Sequence, residues 1–296
     1  MSIVRKLLRK MVKNNFAFSV VDSVLSFLPQ KNRQGGSELV KSNLEKLPDP
    51  IILNYADFKI HVDRKSNHDR DMYYDYLRGD YLDPLLSQVM KEYLKPGDTF
   101  LDIGSNNGFF SLLASNLVGS QGRVYAFEPS VSTYGRLVKN LELNGFENIR
   151  AFNIALGNKK GELTFYDYGT LDGSNSFVKM KNGEPKIVKM DTLDSIMEQE
   201  GTLPDFVKID VEGFEKEVLL GSLKSILHKE RIKVVLEYNR HILRKKGEDY
   251  SSIIKLLNDH GFQIHMMSDS ERRVLGDEVH SHKDIDPFGC NLLAMK

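Results

Sequence analysis

The chain has 296 residues, and its 41 lysines and arginines balance 41 aspartates and glutamates. This length suits one large domain with an appendage, and the even charge argues against a nucleic-acid partner. The single cysteine, Cys290, excludes an internal disulfide and a thiolate zinc site. A mean hydropathy of −0.36, without a long apolar run, predicts a soluble protein, and the single cysteine favours a reducing compartment such as the cytoplasm.

Residues 1–50 differ in composition from the rest of the chain. Their first thirteen residues place basic side chains between apolar ones at near-helical spacing, which predicts a basic amphipathic helix. The apolar stretch 16–28 is interrupted by Asp22 and followed by Pro29, so it fits neither a membrane span nor a signal peptide. We interpret residues 1–50 as a helical extension and linker, with peripheral contact to an anionic membrane as the alternative.

Residues 51–296 form the predicted main domain. A short hairpin is expected over residues 51–62, followed by helix over residues 71–94. That helix carries tyrosines 73, 74, 76 and 81, and we expect these rings to pack together. The alternative is that they close over a cofactor or substrate.

The stretch 99–114 predicts a buried strand, a turn containing Gly104 and Gly108, and the start of an amphipathic helix. Glycine allows positive φ and lets a ligand approach the backbone. Asp102 lies near the end of that strand, where open α/β sheets bind ligands. A second apolar strand, residues 123–127, leads into Glu128, at the place where a ribose diol is held.

Further strands are predicted over residues 149–156, 206–213 and 232–237, with a closing pair over 262–267 and 291–295. Helices are expected after Glu128, over residues 214–228 and over 250–260. Strands that alternate with helices predict a doubly wound α/β sheet.

Five acids lie at predicted strand ends: Asp102, Glu128, Asp210, Glu212 and Glu237. Because parallel strand ends converge on one crevice, we expect these carboxylates to come together, with Asp210 and Glu212 on one face of their strand. They could take a proton from a bound hydroxyl, as could the imidazole of His241. They could instead gather a divalent cation, and the spacing does not decide between these roles. A second group, His280, His282, Asp284 and Asp286, is interpreted as a surface tail, with a metal site as the alternative.

The glycine turn lacks the third small residue of the dinucleotide fingerprint. Asp102 would repel a phosphate there, whereas acidic residues suit a cofactor that carries an amine and a sulfonium. This favours S-adenosylmethionine. A nicotinamide-dependent oxidoreductase is the alternative, since Glu128 would serve either ribose.

Several motifs together resemble the FkbM-type family of class I S-adenosylmethionine-dependent methyltransferases. They are residues 101–108 (LDIGSNNG), 126–129 (AFEP), 155–157 (ALG), 207–215 (VKIDVEGFE) and 291–294 (NLLA). The resemblance runs from about Tyr81 to the end of the chain, and KIDVEG is its most specific part.

The resemblance implies a Rossmann-like seven-stranded sheet with helices on both faces and an antiparallel last strand, and O-methylation of a sugar, glycan or glycosylated metabolite. No metal ligand is assigned, and a divalent cation is possible but not indicated. By the same match, Asp102, Gly104, Ser105, Asn106 and Gly108 would line the methionine end, Glu128 and Pro129 the ribose, and Ala155 the adenine, with Asp210 near the transferred methyl.

This chain departs from the family where the family often has histidine, two residues after the acid of the fifth strand, because Asn239 stands there. The general base therefore stays open among the acids and His241. The departure also keeps a third alternative, an inactive scaffold that retains the cofactor fold.

Overall fold

The computed structural model describes residues 50–77, 79–167, 177, 183–239, 251–268, 273–281 and 290–296. These residues belong to two compact units, the first ending at Pro84 and the second beginning at Leu85. The helical extension predicted for residues 1–50 lies outside the described residues apart from Pro50. Within the described part of the chain, no helix combines the length and apolar character needed to cross a bilayer.

The first unit contains the predicted hairpin and a tyrosine cluster. Strands β1 (Ile51–Asn54) and β2 (Lys59–Val62) pair antiparallel, and helix α1 (Asn67–Leu77) follows. The ring of Tyr55 lies 5.1 Å from that of Phe58 and 5.2 Å from those of Tyr76 and Tyr81, measured between centroids. Burial raises the pKa of the Tyr55 hydroxyl. Tyr76 and Tyr81 therefore pack within their own unit, as the packing interpretation expected.

The single helix expected over residues 71–94 is two helices in the structure. Helix α1 ends at Leu77, and α2 runs over Pro84–Tyr93. Proline lacks the backbone N–H needed inside a helix and disfavours helical geometry in the preceding residue. Asp83, the residue in question, has a φ of +43°. Pro84 is thus the start of a new helix.

The second unit is built on an eight-stranded sheet. Its strands are β3 (Thr99–Ile103), β4 (Arg123–Phe127), β5 (Ile149–Phe152), β9 (Phe206–Ile209), β10 (Lys233–Tyr238), β11 (Gln263–Ser268), β12 (Arg273–Glu278) and β13 (Cys290–Met295). The spatial order is β12-β11-β13-β10-β9-β3-β4-β5. The five strands from β10 to β5 are parallel, and β13 runs antiparallel between β10 and β11.

The helices of this unit are α3 (Phe109–Val118), α4 (Val131–Asn144), α5 (Leu193–Glu200), α6 (Glu215–Leu220), a π-helix (Leu223–Leu227) and α7 (Ser251–Asp259). From β3 the chain steps to β4 and β5 on one side, and from β9 it steps to β10 on the other. Right-handed crossovers in opposite directions place their helices on opposite faces of the sheet. The strand order therefore reverses between β3 and β9, where such sheets form a ligand crevice.

The doubly wound sheet with an antiparallel last strand is confirmed, and one strand is added to the seven expected. Strand β12 pairs with β11 at the edge of the sheet. The strand predicted over residues 149–156 is divided, since β5 joins the large sheet while β6 (Ala155–Leu156) joins a three-stranded sheet. Its partners there are β7 (Gly161–Asp167) and β8 (Glu184–Asp191). The predicted helix 214–228 is likewise divided, because Gly221 ends α6.

The central strands are buried on both faces. All five residues of β3 and all four of β9 are buried, and eight of the ten residues of α3 are buried against the sheet. Parallel strands covered on both sides read as continuous apolar runs, as the sequence of β3 does. The exceptions are charged, namely Asp102 in β3 and Lys208 in β9. Both lie at the point where the strand order reverses.

Candidate active site

The turn after β3 requires glycine at both predicted positions. Gly104 has a φ of +78°, and a Cβ added there would lie 1.8 Å from the carbonyl oxygen of Asp210. Gly108 has a φ of +88°, and its Cβ would lie 2.5 Å from Cδ1 of Leu137. Gly104 therefore lets two loops of the crevice touch, and Gly108 lets α3 begin against α4.

The backbone amides of this turn are used within the protein. Gly104 and Ser105 both donate to the carbonyl oxygen of Phe127 at 3.0 Å, and Gly108 donates to Ser105 at 2.8 Å. Asn106 donates to Oε2 of Glu128 at 3.0 Å. A loop that binds phosphate needs its amides pointing at the ligand. This turn does not offer these four amides to a phosphate.

Asp102 is completely buried, so its carboxylate does not face an open crevice as expected. Oδ2 accepts a hydrogen bond from Ser111 Oγ at 2.6 Å, and Oδ1 lies 3.5 Å from Nζ of Lys208. Strand register explains the second contact, because Asp102 and Lys208 are paired across β3 and β9. The negative charge of Asp102 is thus matched inside the protein, and its place at the methionine end stays a prediction.

Glu128 lies where the sequence predicts, directly after β4, and it is almost fully buried. Its two oxygens accept from the amides of Asn106 and Ser130, each at 3.0 Å. Burial raises the pKa of Glu128 to about 7, although these two hydrogen bonds oppose the shift. The side chain therefore joins the two loops that flank the crevice, and each oxygen keeps a lone pair for another donor.

Strand β9 ends at Ile209, so Asp210 and Glu212 are not on a strand as predicted. They lie in a turn in which Glu212 has a φ of +49° and Gly213 a φ of +96°. Glu215, also buried, accepts the amide of Gly213 at Oε1 (3.0 Å) and supports this turn. Burial raises the pKa of Glu215 to about 7.

The turn nevertheless brings the predicted acids together. Asp210, Glu212 and Glu237 each place a carboxylate oxygen within 4.8 Å of the others, close enough to share a proton or to ligate a cation. Burial, followed by the charges of Asp210 and Glu215, raises the pKa of Glu212 to about 8. Burial and the charges of Asp210 and Glu212 raise the pKa of Glu237 well above its usual range. We call these three residues the carboxylate cluster.

The most important residue that the sequence analysis did not assign is Lys208, which is 4% exposed. Its Nζ lies 3.3 Å from Oδ2 of Asp210 and donates to the carbonyl oxygen of Gly104 at 3.2 Å. The available signal was a lysine inside an otherwise apolar strand, because such a charge is buried only with partners.

Two asparagines that were given no role also hold the crevice loops. Asn140 donates to the carbonyl oxygen of Asn107 at 2.7 Å. Asn153 donates to the carbonyl oxygens of Glu128 and Pro129 at 2.8 and 3.1 Å.

The remaining predicted residues are placed as follows. Pro129 is buried beside Glu128, and Ala155 is buried in β6. His241 lies outside the described residues, as do His282, Asp284 and Asp286 of the proposed tail. The structure therefore brings the acids together and leaves the histidine contribution a prediction.

An open α/β sheet with this strand order and its inserted antiparallel strand has the Rossmann-like fold of class I methyltransferases. The model of the Methyltransferase FkbM domain matches residues 102–264, more than half of the chain. The chain therefore belongs to the FkbM methyltransferase family, and it is an S-adenosylmethionine-dependent methyltransferase. This decides against the oxidoreductase alternative.

Individual relatives are distant. Methyltransferase 1 of Beauveria bassiana is 26% identical over 191 residues, which are 57% of this chain and 74% of the relative. Hexuronic acid methyltransferase AglP of Haloferax volcanii is 27% identical over 140 residues, 47% of this chain and 56% of the relative. The crystal structure of methyltransferase FkbM from Methylobacillus flagellatus is 14% identical, with a TM-score of 0.44, over 88% of this chain and 59% of that one.

A pair of glycine substitutions separates backbone strain from the loop contact. Gly104 and Gly261 have the same φ of +78°, but a Cβ at Gly261 meets nothing within 4 Å. We expect Gly261→Ala to lower the free energy of unfolding by about 1 kcal/mol and to leave cofactor affinity unchanged. Gly104→Ala should destabilise the protein further and abolish measurable cofactor binding by calorimetry. Equal effects of the two substitutions would contradict the assigned contact.

The buried glutamates predict how the stability of the ligand-free protein depends on pH. Glu128 and Glu215 have pKa values raised to about 7 and Glu212 to about 8, so the folded state holds more protons than the unfolded state above about pH 4.5. Their contribution to stability is complete below that pH and is lost as the pH rises to about 8. Thermal melts should therefore show a melting temperature that falls across this range.

The variant Glu212→Gln should show a smaller fall, because it removes one of these groups. The control Glu162→Gln changes an exposed carboxyl on β7 and should melt like the wild type at every pH. A Glu212→Gln variant with an unchanged slope would show that this glutamate takes up no extra proton on folding.

Proposed function

We propose that the protein transfers the methyl group of S-adenosylmethionine to a hydroxyl of a sugar, glycan or glycosylated metabolite. The observation that carries this proposal is the carboxylate cluster at the carboxyl ends of β9 and β10, in which burial and neighbouring charges raise the pKa of Glu212 to about 8 and raise the pKa of Glu237 well above its usual range. A carboxylate of raised pKa is a stronger base than a solvated one, and an alcohol needs a base.

The residues of the crevice fit this cofactor. Asp210, whose side chain is 39% exposed, offers negative charge to a cation, while the turn withholds four amides from phosphate. Ser105 Oγ is buried in the same turn and has no hydrogen-bond partner among the described residues. By the family match, Gly104, Ser105, Asn106 and Gly108 would hold the methionine end, Glu128 and Pro129 the ribose, and Ala155 the adenine.

When bound, S-adenosylmethionine supplies an electrophilic methyl group. The part of this chain is to hold the acceptor hydroxyl in line and to accept its proton. We propose that Glu237 or Glu212 accepts the proton of the hydroxyl, because both have raised pKa values. The negative charge of Asp210 would orient the cationic cofactor. His241 is the alternative acceptor. The same cluster could ligate a divalent cation, which needs several carboxylate oxygens as direct ligands, but Oδ2 of Asp210 is already paired with the ammonium of Lys208 at 3.3 Å.

The acceptor class is supported by the AglP relative, whose name records methylation of a hexuronic acid. Since the chain spans about half of that protein, the carbohydrate acceptor belongs to the proposal alone. We also propose a cytoplasmic enzyme without a nucleic-acid partner, with the basic residues 1–13 as the place of any peripheral membrane contact.

Glu128→Ala tests the ribose assignment. Losing charge-assisted hydrogen bonds to the ribose should weaken S-adenosylmethionine binding by about 1.5 to 3 kcal/mol, roughly 10- to 150-fold. Isothermal titration calorimetry measures this directly. Glu142→Ala, on the exposed side of α4, is the control and should bind normally. Unchanged affinity in Glu128→Ala would remove the residue from the ribose site.

Glu237→Gln tests the proton acceptor. Transfer of radiolabelled methyl groups into a glycan extract or a hexuronic acid acceptor should fall by about 100-fold or more, whereas cofactor affinity should change little. The exposed Glu198→Gln is the control. Chelation of divalent cations should leave the wild-type rate unchanged. Full activity in Glu237→Gln would exclude this residue, and wild-type protein that binds cofactor but methylates no hydroxylated acceptor would support the inactive scaffold.

A further inference from the structure

Lys208 is a charged residue in β9, a strand whose four residues are all buried. It lies in β9 with β3 on one side and β10 on the other, opposite Asp102 and Val235. Removing an ammonium group from water is unfavourable unless partners replace the water. A lysine in this position therefore needs protein groups that interact with its ammonium.

The partners come from three separate segments of the crevice. Nζ lies 3.5 Å from Oδ1 of Asp102 on β3, 3.2 Å from the carbonyl oxygen of Gly104 in the turn and 3.3 Å from Oδ2 of Asp210 after β9. It also lies 5.5 Å from the ring centroid of Phe110, at the start of α3. One ammonium group thus connects the elements that form the crevice.

Several acids share this one cation. Burial by itself would lower the pKa of Lys208, but the charges of Asp210 and Asp102 more than offset it and the pKa is raised. The lysine is therefore charged at neutral pH. The titratable groups that interact with it are Asp102, Glu128, Asp210, Glu212 and Glu237. Among the members of the carboxylate cluster, only Asp210 forms an ion pair with it in the described structure.

We propose that Lys208 is a positioning residue of the methyl-transfer site, which fixes the Asp210 carboxylate in the crevice and keeps negative charge there, so that a proton released in the crevice goes to Glu212 or Glu237 and not to Asp210. The inference rests on the proposed function, because the negative charge of Asp210 matters for binding only if the cofactor is the cationic S-adenosylmethionine. Without the ammonium, the three acids would compete for protons on more equal terms.

The test is the pH dependence of S-adenosylmethionine binding, measured by calorimetry in the absence of an acceptor. In the wild type, affinity should fall on acidification as the crevice loses negative charge. In Lys208→Met the midpoint of this fall should lie about one pH unit or more higher, because the acids of the crevice take up protons more readily without the nearest cation. Lys208→Arg should stay close to the wild type.

Lys229→Met is the matched control, since it removes a lysine that pairs with Asp205 at 3.0 Å, just before the same strand. It should leave the pH midpoint unchanged. A purely structural role for Lys208 would weaken binding by the same factor at every pH. A folded Lys208→Met with the wild-type midpoint would overturn the proposal.

Removing Lys208 leaves Asp102 buried without its cation, which threatens folding. The variant Lys208→Met/Asp102→Asn neutralises that pair as a unit and should show the same upward shift. Carboxyl ¹³C NMR of the unaltered, ligand-free protein gives a reading that requires neither a variant nor a cofactor. On lowering the pH, the first proton should enter on Glu212 or Glu237, and its entry on Asp210 would overturn the proposal.

These measurements separate two failures. Wild-type protein that bound no S-adenosylmethionine would end the proposed function, and the NMR reading would still decide the role of Lys208. Normal cofactor binding combined with first protonation of Asp210 would end the Lys208 inference alone.

Discussion

The central interaction of this structure is the buried ion pair between Lys208 and Asp102, extended to Asp210. Strand pairing sets the first two side chains next to each other, and the third follows where β9 ends. A buried charge must be matched where it stands, so these residues hold β3 and β9 in one register. The glycine turn is held at the same point, because its Gly104 carbonyl accepts from the lysine. The crevice is therefore assembled around a cation of the protein itself.

This arrangement divides the acids of the crevice into two groups. Asp102 is neutralised within the protein, and Glu128 binds the two loops that flank the crevice through their amides. The carboxylate cluster is different, since three acids share one nearby ammonium and the pKa values of its glutamates are raised. Negative charge beside basic carboxylates suits both a cationic methyl donor and a hydroxyl that must lose its proton. A phosphate-bearing cofactor would find four amides of the glycine turn already used and three carboxyl groups close together.

Much of this was predictable from the sequence. Apolar runs indicated the parallel strands, and two closely spaced glycines indicated the turn. The acids after successive strands indicated a shared crevice, because parallel strand ends meet at one edge of the sheet. Other expectations were wrong for local reasons. Pro84 divides a continuous helical pattern, Gly221 ends another, and β9 stops at Ile209 although its apolar pattern continues. In these places local backbone geometry or a close contact overrode the side-chain periodicity; a Cβ at Gly221, for example, would lie 1.9 Å from the carbonyl oxygen of Gly157.

The sequence by itself determined the fold class, the glycine turn and the identity of the acids, since these depend on spacing within single segments. Only the tertiary structure decided which acids are neutralised and which form the cluster. That distinction depends on contacts between residues about a hundred positions apart, such as Lys208 with Gly104. It also depends on burial, which raises the pKa values of Glu128, Glu212 and Glu237. No local pattern shows these contacts or this burial, because both arise from the pairing of β9 with β3 and β10.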